Sequence, residues 1–291
     1  MSPETSVFST GSAVAAPPTN SYEVIQTAVL NQSAETALNP TLSVDIRHAA
    51  PQTYEYQFTV MACSDGQTCG SQTTIATSGW STNRNWTVPA GVLAWNGLYT
   101  WTASARVPSP YFSMGTLFNP FAMFATVVPI PSTGNVGLGN QATVVKGVHL
   151  SDRRFEHAVN EASLPTQGAP LTISRQYSST KTAGGAFGLG WSSLLDVKIA
   201  DTATGKSVTL PNGREAVFGR NPNGSFAPGP GAEGMSLESC SVPCTNRFSS
   251  SSGTSYEFSS AGLTSIFDSS GTKVLVSRTN GAISALTEAS S

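Results

Sequence analysis

Pro170 to Ile199 reads PLTISRQYSSTKTAGGAFGLGWSSLLDVKI. Both ends alternate apolar with polar residues, the pattern of strands with one buried face, and a glycine-broken middle joins them. On the first strand Leu171, Ile173, Arg175 and Tyr177 share a face, so a guanidinium stands in line with apolar neighbours. An unpaired buried charge is prohibitively costly. Arg175 therefore requires a carboxylate, backbone carbonyls or an aromatic face, and Trp191 and Asp196 are the nearest candidates. Gly184, Gly185, Gly188 and Gly190 permit a tight reversal and close backbone approach before SLLDVKIA alternates again. The motif reads as a structural clamp that starts a sheet. Arg175→Ala is expected to cost about 2–4 kcal/mol if the guanidinium is buried and paired. GGAFGLG also reads as a phosphate loop, but such loops open a helix, whereas the residues after Gly190 alternate like a strand.

Downstream, Asn212-Gly213 sits between two alternating runs, a strong short-range hairpin signal. Further on, LTSIFDSS (Leu263 to Ser270) aligns without gaps on ISALTEAS (Ile283 to Ser290), pairing Leu263 with Ile283, Ile266 with Leu286 and Asp268 with Glu288. The period is 20 residues, and units of this length bury their faces by stacking on one another.

Upstream, TLSVDIRH and YEYQFTVMA alternate in the same way, and GLYTWTASARV puts Tyr99, Trp101, Ala103 and Ala105 on one face. Short strands between turn residues predict a two-sheet sandwich. Trp80, Trp86 and Trp95 are candidates for stacking on a sugar. Trp86 and Trp101 lie in alternating strands and are assigned to the core. Trp95, in GVLAWNG, is the aromatic expected to be exposed and ligand-facing. LFNPFAMFATVVPIP (Leu117 to Pro131) contains prolines and is too short for a membrane span, so it reads as a buried strand or linker.

The composition is rich in Gly and Pro and the periodicity is strand-like throughout, so the fold class is all-β. Only 11% of residues are charged and the formal net charge is -2, which offers no basic surface to nucleic acid or anionic lipid. The four cysteines form two close pairs, Cys63 with Cys69 and Cys240 with Cys244, around turn-prone stretches. Local disulfides are the first reading, with zinc or free thiols as alternatives; neither pair has the spacing of a zinc knuckle. Disulfides imply an oxidising compartment. The N-terminus has neither a basic start nor a continuous apolar core, so it is not a signal peptide, and the chain is expected to be a fragment.

Two resemblances rest on these residues. The region Asn39 to Val107 resembles fibronectin type III-like modules of secreted bacterial proteins through Tyr56, Phe58, Trp80, Trp86, Pro89, Gly97, Tyr99 and Trp101. PLTISRQYSS together with GGAFGLGWSS is similar to the opening motif of RHS/YD-repeat proteins, carried by Arg175, Tyr177, Gly188, Gly190 and Trp191, and YEFSSAGLTSIFDSSG resembles the first of their repeats. This second match spans about Gly134 to Ser291. The Tyr-Asp dipeptide is replaced by Phe267-Asp268, and Thr272 stands where an arginine is usual. The resemblance implies a strand-rich spiral shell around a C-terminal cargo, often a toxin, in secreted or surface proteins of bacterial competition. The expected layout is a disordered leader (1–20), a fibronectin-like sandwich (21–108), a linker (109–140) and an RHS-type region (141–291) with YD-like repeats from about 255, truncated before the shell is complete.

Catalytic signatures are sparse. His149 and His157 flank LSDRRFEH, the one dense charge cluster, and lack a companion ligand at metal spacing. The chain has no Gly-x-Ser-x-Gly elbow, and nothing singles out a carboxylate pair for glycoside hydrolysis. The expectation is a non-enzymatic protein without a cofactor. Its partners would be the rest of its own chain or an enclosed cargo, without nucleic acid or membrane insertion. An extracellular or cell-surface adhesin that binds a glycan or protein is the alternative.

Overall fold

A computed structural model describes residues 23–47, 53–64, 68–107, 117–118, 121–130, 144–149, 154–164, 171–182, 184–280 and 282–289. The expected leader lies outside these. The protein is almost entirely β, as the periodicity predicts. Among the described residues the one helical element is a 3-10 turn at Leu194–Asp196, and no helix is long and apolar enough to cross a membrane.

The first half contains β1 (Glu23–Ala28), β2 (Ser33–Glu35), β3 (Thr41–Arg47), β4 (Glu55–Cys63), β5 (Gln72–Thr77), β6 (Asn85–Thr87), β7 (Leu98–Arg106), β8 (Leu117–Phe118) and β9 (Ala122–Thr126). One sheet has the order β1-β3-β6 and the other β2-β9-β7-β4-β5, with β8 beside β7. All pairings are antiparallel except β2 with β9. Across β4 and β7, Tyr56 stands opposite Ala105, Phe58 opposite Ala103 and Val60 opposite Trp101, so large side chains meet small ones and the inner face fills without clash. Leu42, Val44 and Ile46 of β3 close the core from the other sheet. Buried Trp101 donates from Nε1 to the Val29 carbonyl at 2.8 Å, and the Tyr99 hydroxyl accepts from Ala94 N at 2.8 Å. The second bond fixes the turn that enters β7, the arrangement called a tyrosine corner in immunoglobulin-like sandwiches.

The linker expectation needs correction. Of 109–140, the pieces Leu117–Phe118 and Ala122–Thr126 are strands, and Ala122 and Phe124 are fully buried in the first core. The buried-strand reading of this stretch therefore holds for 122–126.

The second half begins with β10 (Val144–Val145), β11 (Val148–His149), β12 (Glu156–Leu164), β13 (Leu171–Ser178), β14 (Gly184–Gly185), β15 (Gly188–Leu189) and β16 (Trp191–Ser193). A four-stranded meander comes next, β17 (Lys198–Thr202), β18 (Gly205–Thr209), β19 (Glu215–Arg220) and β20 (Phe226–Pro228). The Asn212-Gly213 hairpin joins β18 to β19, with Gly213 at φ +78° and the Asn212 side chain accepting from Arg214 N at 3.0 Å. The last sheet is a six-stranded meander in chain order: β21 (Ser236–Ser239), β22 (Asn246–Ser249), β23 (Ser255–Ser259), β24 (Gly262–Phe267), β25 (Lys273–Thr279) and β26 (Ala282–Glu288). Val208 and Phe218 pack with Phe248, Phe258 and Ile266 in the second core.

The halves meet at a small third cluster of Trp95, Val128, Val217 and Ala227. Trp95 N donates to Asn221 Oδ1 and Asn96 Nδ2 to the Pro228 carbonyl, both at 2.8 Å.

Candidate functional site

The clamp forms where β13 lies between β12 and β16, with Arg175 opposite Ser193 and Tyr177 opposite Trp191. The Arg175 guanidinium carbon sits 4.3 Å from the centroid of the Trp191 ring and 5.8 Å from that of Phe187. Tyr177 meets Trp191 edge-on at 5.4 Å, and Phe155 extends the aromatic row at 6.2 Å from Tyr177. A planar cation on an indole face is a favourable pairing at a half-exposed position.

The carboxylate partner is Glu161, which forms an ion pair with Arg175 Nε. Residue patterning misses it because β12 is bulged there: Asn160 pairs with Ser174 and Ala162 with Ile173, so Glu161 is the extra residue. A bulge re-aims a side chain. Arg175 retains 32% of its side-chain exposure, so the guanidinium is shared between an aromatic face, a carboxylate and water.

Asp196 has a different task from the one expected. Its carboxylate accepts from Ala186 N at 2.6 Å and from Ser193 Oγ at 2.9 Å, tying the 3-10 turn to the β14–β15 hairpin. The glycines are needed for space as well as for turning. A Cβ on Gly190, at φ +78°, would come within 2.6 Å of the Tyr177 ring, and one on Gly185 within 2.7 Å of the Trp191 carbonyl. Gly188, at φ +98°, is a turn residue with open space beside it. Lys181, which residue patterning also misses, closes the unit by donating from Nζ to the Trp191 carbonyl at 2.7 Å, and burial pulls its pKa below the usual lysine range. Thus Arg175, Tyr177, Gly190, Trp191 and Asp196 converge on one hairpin junction.

Residues 154–218 match a family described as Domain of unknown function (DUF6531). The DUF6531 segment runs from the start of β12 into β19 and contains the whole clamp, Glu161 and Lys181 included. No curated protein matches the chain.

Outside the DUF6531 segment the other candidates fall differently. Both cysteine pairs are at bonding distance, Cys63 with Cys69 (Cα–Cα 4.7 Å) and Cys240 with Cys244 (5.5 Å), which takes up the thiols that the zinc reading would need. Trp95 is a correction. It is 6% exposed, and the turn that seemed free is covered by the second half, where a Cβ on Gly219 would lie 2.5 Å from the indole. Trp95 therefore seals the junction instead of facing a ligand, while Trp80 and Trp86 stay half-buried. In the charge cluster, Arg154 pairs with Glu156 at 2.8 Å and His157 stacks on Phe155. Asp152, Arg153 and His48 lie outside the described residues. Among the described residues no three His, Cys, Asp or Glu side chains group closely enough to hold a metal ion.

Proposed function

We propose that this chain is the non-catalytic N-terminal part of a secreted or cell-surface RHS/YD-repeat protein, in which a fibronectin-like sandwich precedes the start of a β-shell. The shell encloses or presents a C-terminal cargo such as a toxin. The observation that carries this reading is the pairing of the last two hairpins. In β23–β24, Tyr256 pairs with Ile266, Phe258 with Leu263 and Ser259 with Gly262, with a bulge between Glu257 and Phe258. In β25–β26, Val276 pairs with Leu286, Arg278 with Ile283 and Thr279 with Ala282, with a bulge between Ser277 and Arg278. Every one of these positions is displaced by the 20-residue period read in the sequence. A hairpin that repeats in register, bulge included, extends a sheet indefinitely, which is the growth rule a wall needs.

Three further observations support it. The DUF6531 match over 154–218 is compatible with an RHS/YD-type region. The first half packs a three-stranded sheet on a larger one around a single core and carries a tyrosine corner, features that immunoglobulin-like sandwiches share. Two disulfides favour an oxidising compartment. The wall itself is mechanical: apolar faces stack, and the Arg175 clamp fixes the corner where the second half begins.

The test is the reading frame after Ser291. A frame that runs on through further hairpins of this period into a separate domain is the expected result. A stop codon directly after Ser291 would sink the proposal, because two hairpins cannot enclose a cargo.

A further inference from the structure

A cavity of about 230 Å³ opens at the side of the sandwich where the chain crosses from β5 to β6. Tyr56 and Phe58 of β4 form one wall, and the 78–86 segment with Trp80, Asn83, Asn85 and Trp86 forms the other. The segment is held in place. Tyr56 N donates to the Ser81 carbonyl at 2.7 Å, Ser81 N to the Tyr56 carbonyl at 3.0 Å and Ser78 N to the Phe58 carbonyl at 2.8 Å.

Both indoles are positioned by neighbours. The Arg106 guanidinium lies 4.1 Å over the Trp80 ring and is itself paired with Glu55 at 2.9 Å. Trp86 stacks on Phe58 with centroids 6.1 Å apart. Rings fixed in this way lose little freedom when a ligand stacks on them. At the exposed rim, Asn83 Oδ1 accepts from Asn85 N at 3.0 Å and Asn85 Oδ1 accepts from Ser43 Oγ at 2.5 Å. The Asn83 oxygen is thus engaged, which leaves its NH₂ group as the donor of the rim, while the Asn85 amide is held beside Ser43 on the outer face of the sheet. The nearby charges neutralise one another, Arg84 with Asp45 at 2.6 Å and Arg106 with Glu55, so nothing selects an ion.

A flat apolar face bordered by neutral donors matches a sugar ring, which carries C–H bonds on one side and hydroxyls on its edge. From this geometry we propose that the cavity binds carbohydrate, taking one neutral pyranose, the terminal residue of a glycan. Trp80 stacks on the ring while Asn83 donates to its hydroxyls. At about 230 Å³ the cavity is smaller than the roughly 300–1,000 Å³ pockets that hold drug-sized ligands, which limits the occupant to a single ring. The site goes beyond the shell reading and is independent of it.

Saturation-transfer NMR on the intact chain tests it, with the methyl glycosides of glucose, galactose, mannose and N-acetylglucosamine as probes. Transfer to the C–H protons of one of these sugars is expected, with a Kd of roughly millimolar order. Binding should be about tenfold weaker in Trp80→Ala, clearly reduced in Asn83→Ala and partly retained in Trp80→Phe. Asn83→Ala keeps the test decisive if Trp80→Ala lowers the melting temperature. No transfer to any of the probes, or transfer that survives both alanine variants, overturns the proposal. So does displacement of the sugar by phenylalanine methyl ester at lower concentration, which would make the cavity a peptide side-chain pocket.

Discussion

The sandwich and the final meander use the same alternating strands and bury them differently. In the sandwich two sheets close on Trp101, Phe58 and Phe124, at 0%, 1% and 0% exposure. In the meander one sheet runs in chain order and its cover thins along the way. Leu263 and Ile266 of the first repeated hairpin are 2% and 0% exposed, whereas their counterparts Ile283 and Leu286 are only half-buried. Pairing register is identical in the two hairpins, so the difference lies in what stacks on top. A sandwich is complete in itself; a meander hairpin is complete only when something covers its apolar face.

The most direct way to break this comparison is to truncate equivalent positions. Ile266→Ala should cost about 2–5 kcal/mol, the usual range for opening a cavity in a closed core. Leu286→Ala, in the thinly covered copy, should cost about 1 kcal/mol. Chemical denaturation of the two variants measures both, and equal losses would show that the second hairpin is as well covered as the first.

Next in size is the junction. Gly219→Ala puts a methyl where the Trp95 indole lies and should cost about 1–3 kcal/mol by overpacking. Because Trp95, Val128, Val217 and Ala227 hold the halves together, calorimetry should then resolve two melting steps where the parent shows closer coupling. A single unchanged transition would mean that the halves are joined by something other than this cluster.

What was legible in the sequence was local. Alternation marks strands from a few residues, Asn212-Gly213 marks a hairpin from two, and the cysteine pairs are separated by only 6 and 4 positions. Even the stacking of Arg175 on Trp191 was within reach, because one hairpin joins them. What was hidden depends on distant partners. Glu161 reaches Arg175 only because a bulge displaces it, and a bulge leaves no mark on an alternating strand. Trp95 sits in a turn-like stretch, and its burial is decided by Val217 and Ala227, more than a hundred positions away. The polar rim at Asn83 looks like any surface loop until Trp80 and Trp86 are placed beside it.

The clamp offers a smaller test. Arg175 is about one-third exposed, so Arg175→Ala should cost about 1–2 kcal/mol, below the loss expected of a fully buried ion. Arg175→Lys keeps the charge but not the planar stack, and should recover only part of it. A double-mutant cycle with Glu161→Ala isolates the ion pair, for which a coupling of about 0.5–1 kcal/mol is expected. Zero coupling would leave the indole stack as the whole of the clamp.

The finest distinction between the repeats is acidic. Asp268 closes the turn after the first hairpin, accepting from Ser270 Oγ at 2.6 Å and from Ser270 N and Thr272 N at 2.8 and 2.9 Å. The Ser270 hydroxyl leads in holding its carboxyl below the ordinary value of 3.8, with both backbone donors adding to it. A carboxylate whose folded-state pKa is depressed binds its proton more readily in the unfolded chain. Its contribution is therefore present above about pH 4 and is lost as pH falls through the folded-state value. Asp268→Asn keeps an acceptor for the turn but removes the titration. Its melting temperature should fall less than the parent's between neutral pH and about pH 3, with Glu257, held down by Arg247 and Lys273 against the opposing effect of burial, supplying the acid sensitivity that remains. Identical acid profiles for parent and variant would place the whole of that sensitivity at Glu257 and the other carboxylates, and the turn would then be held by its geometry alone.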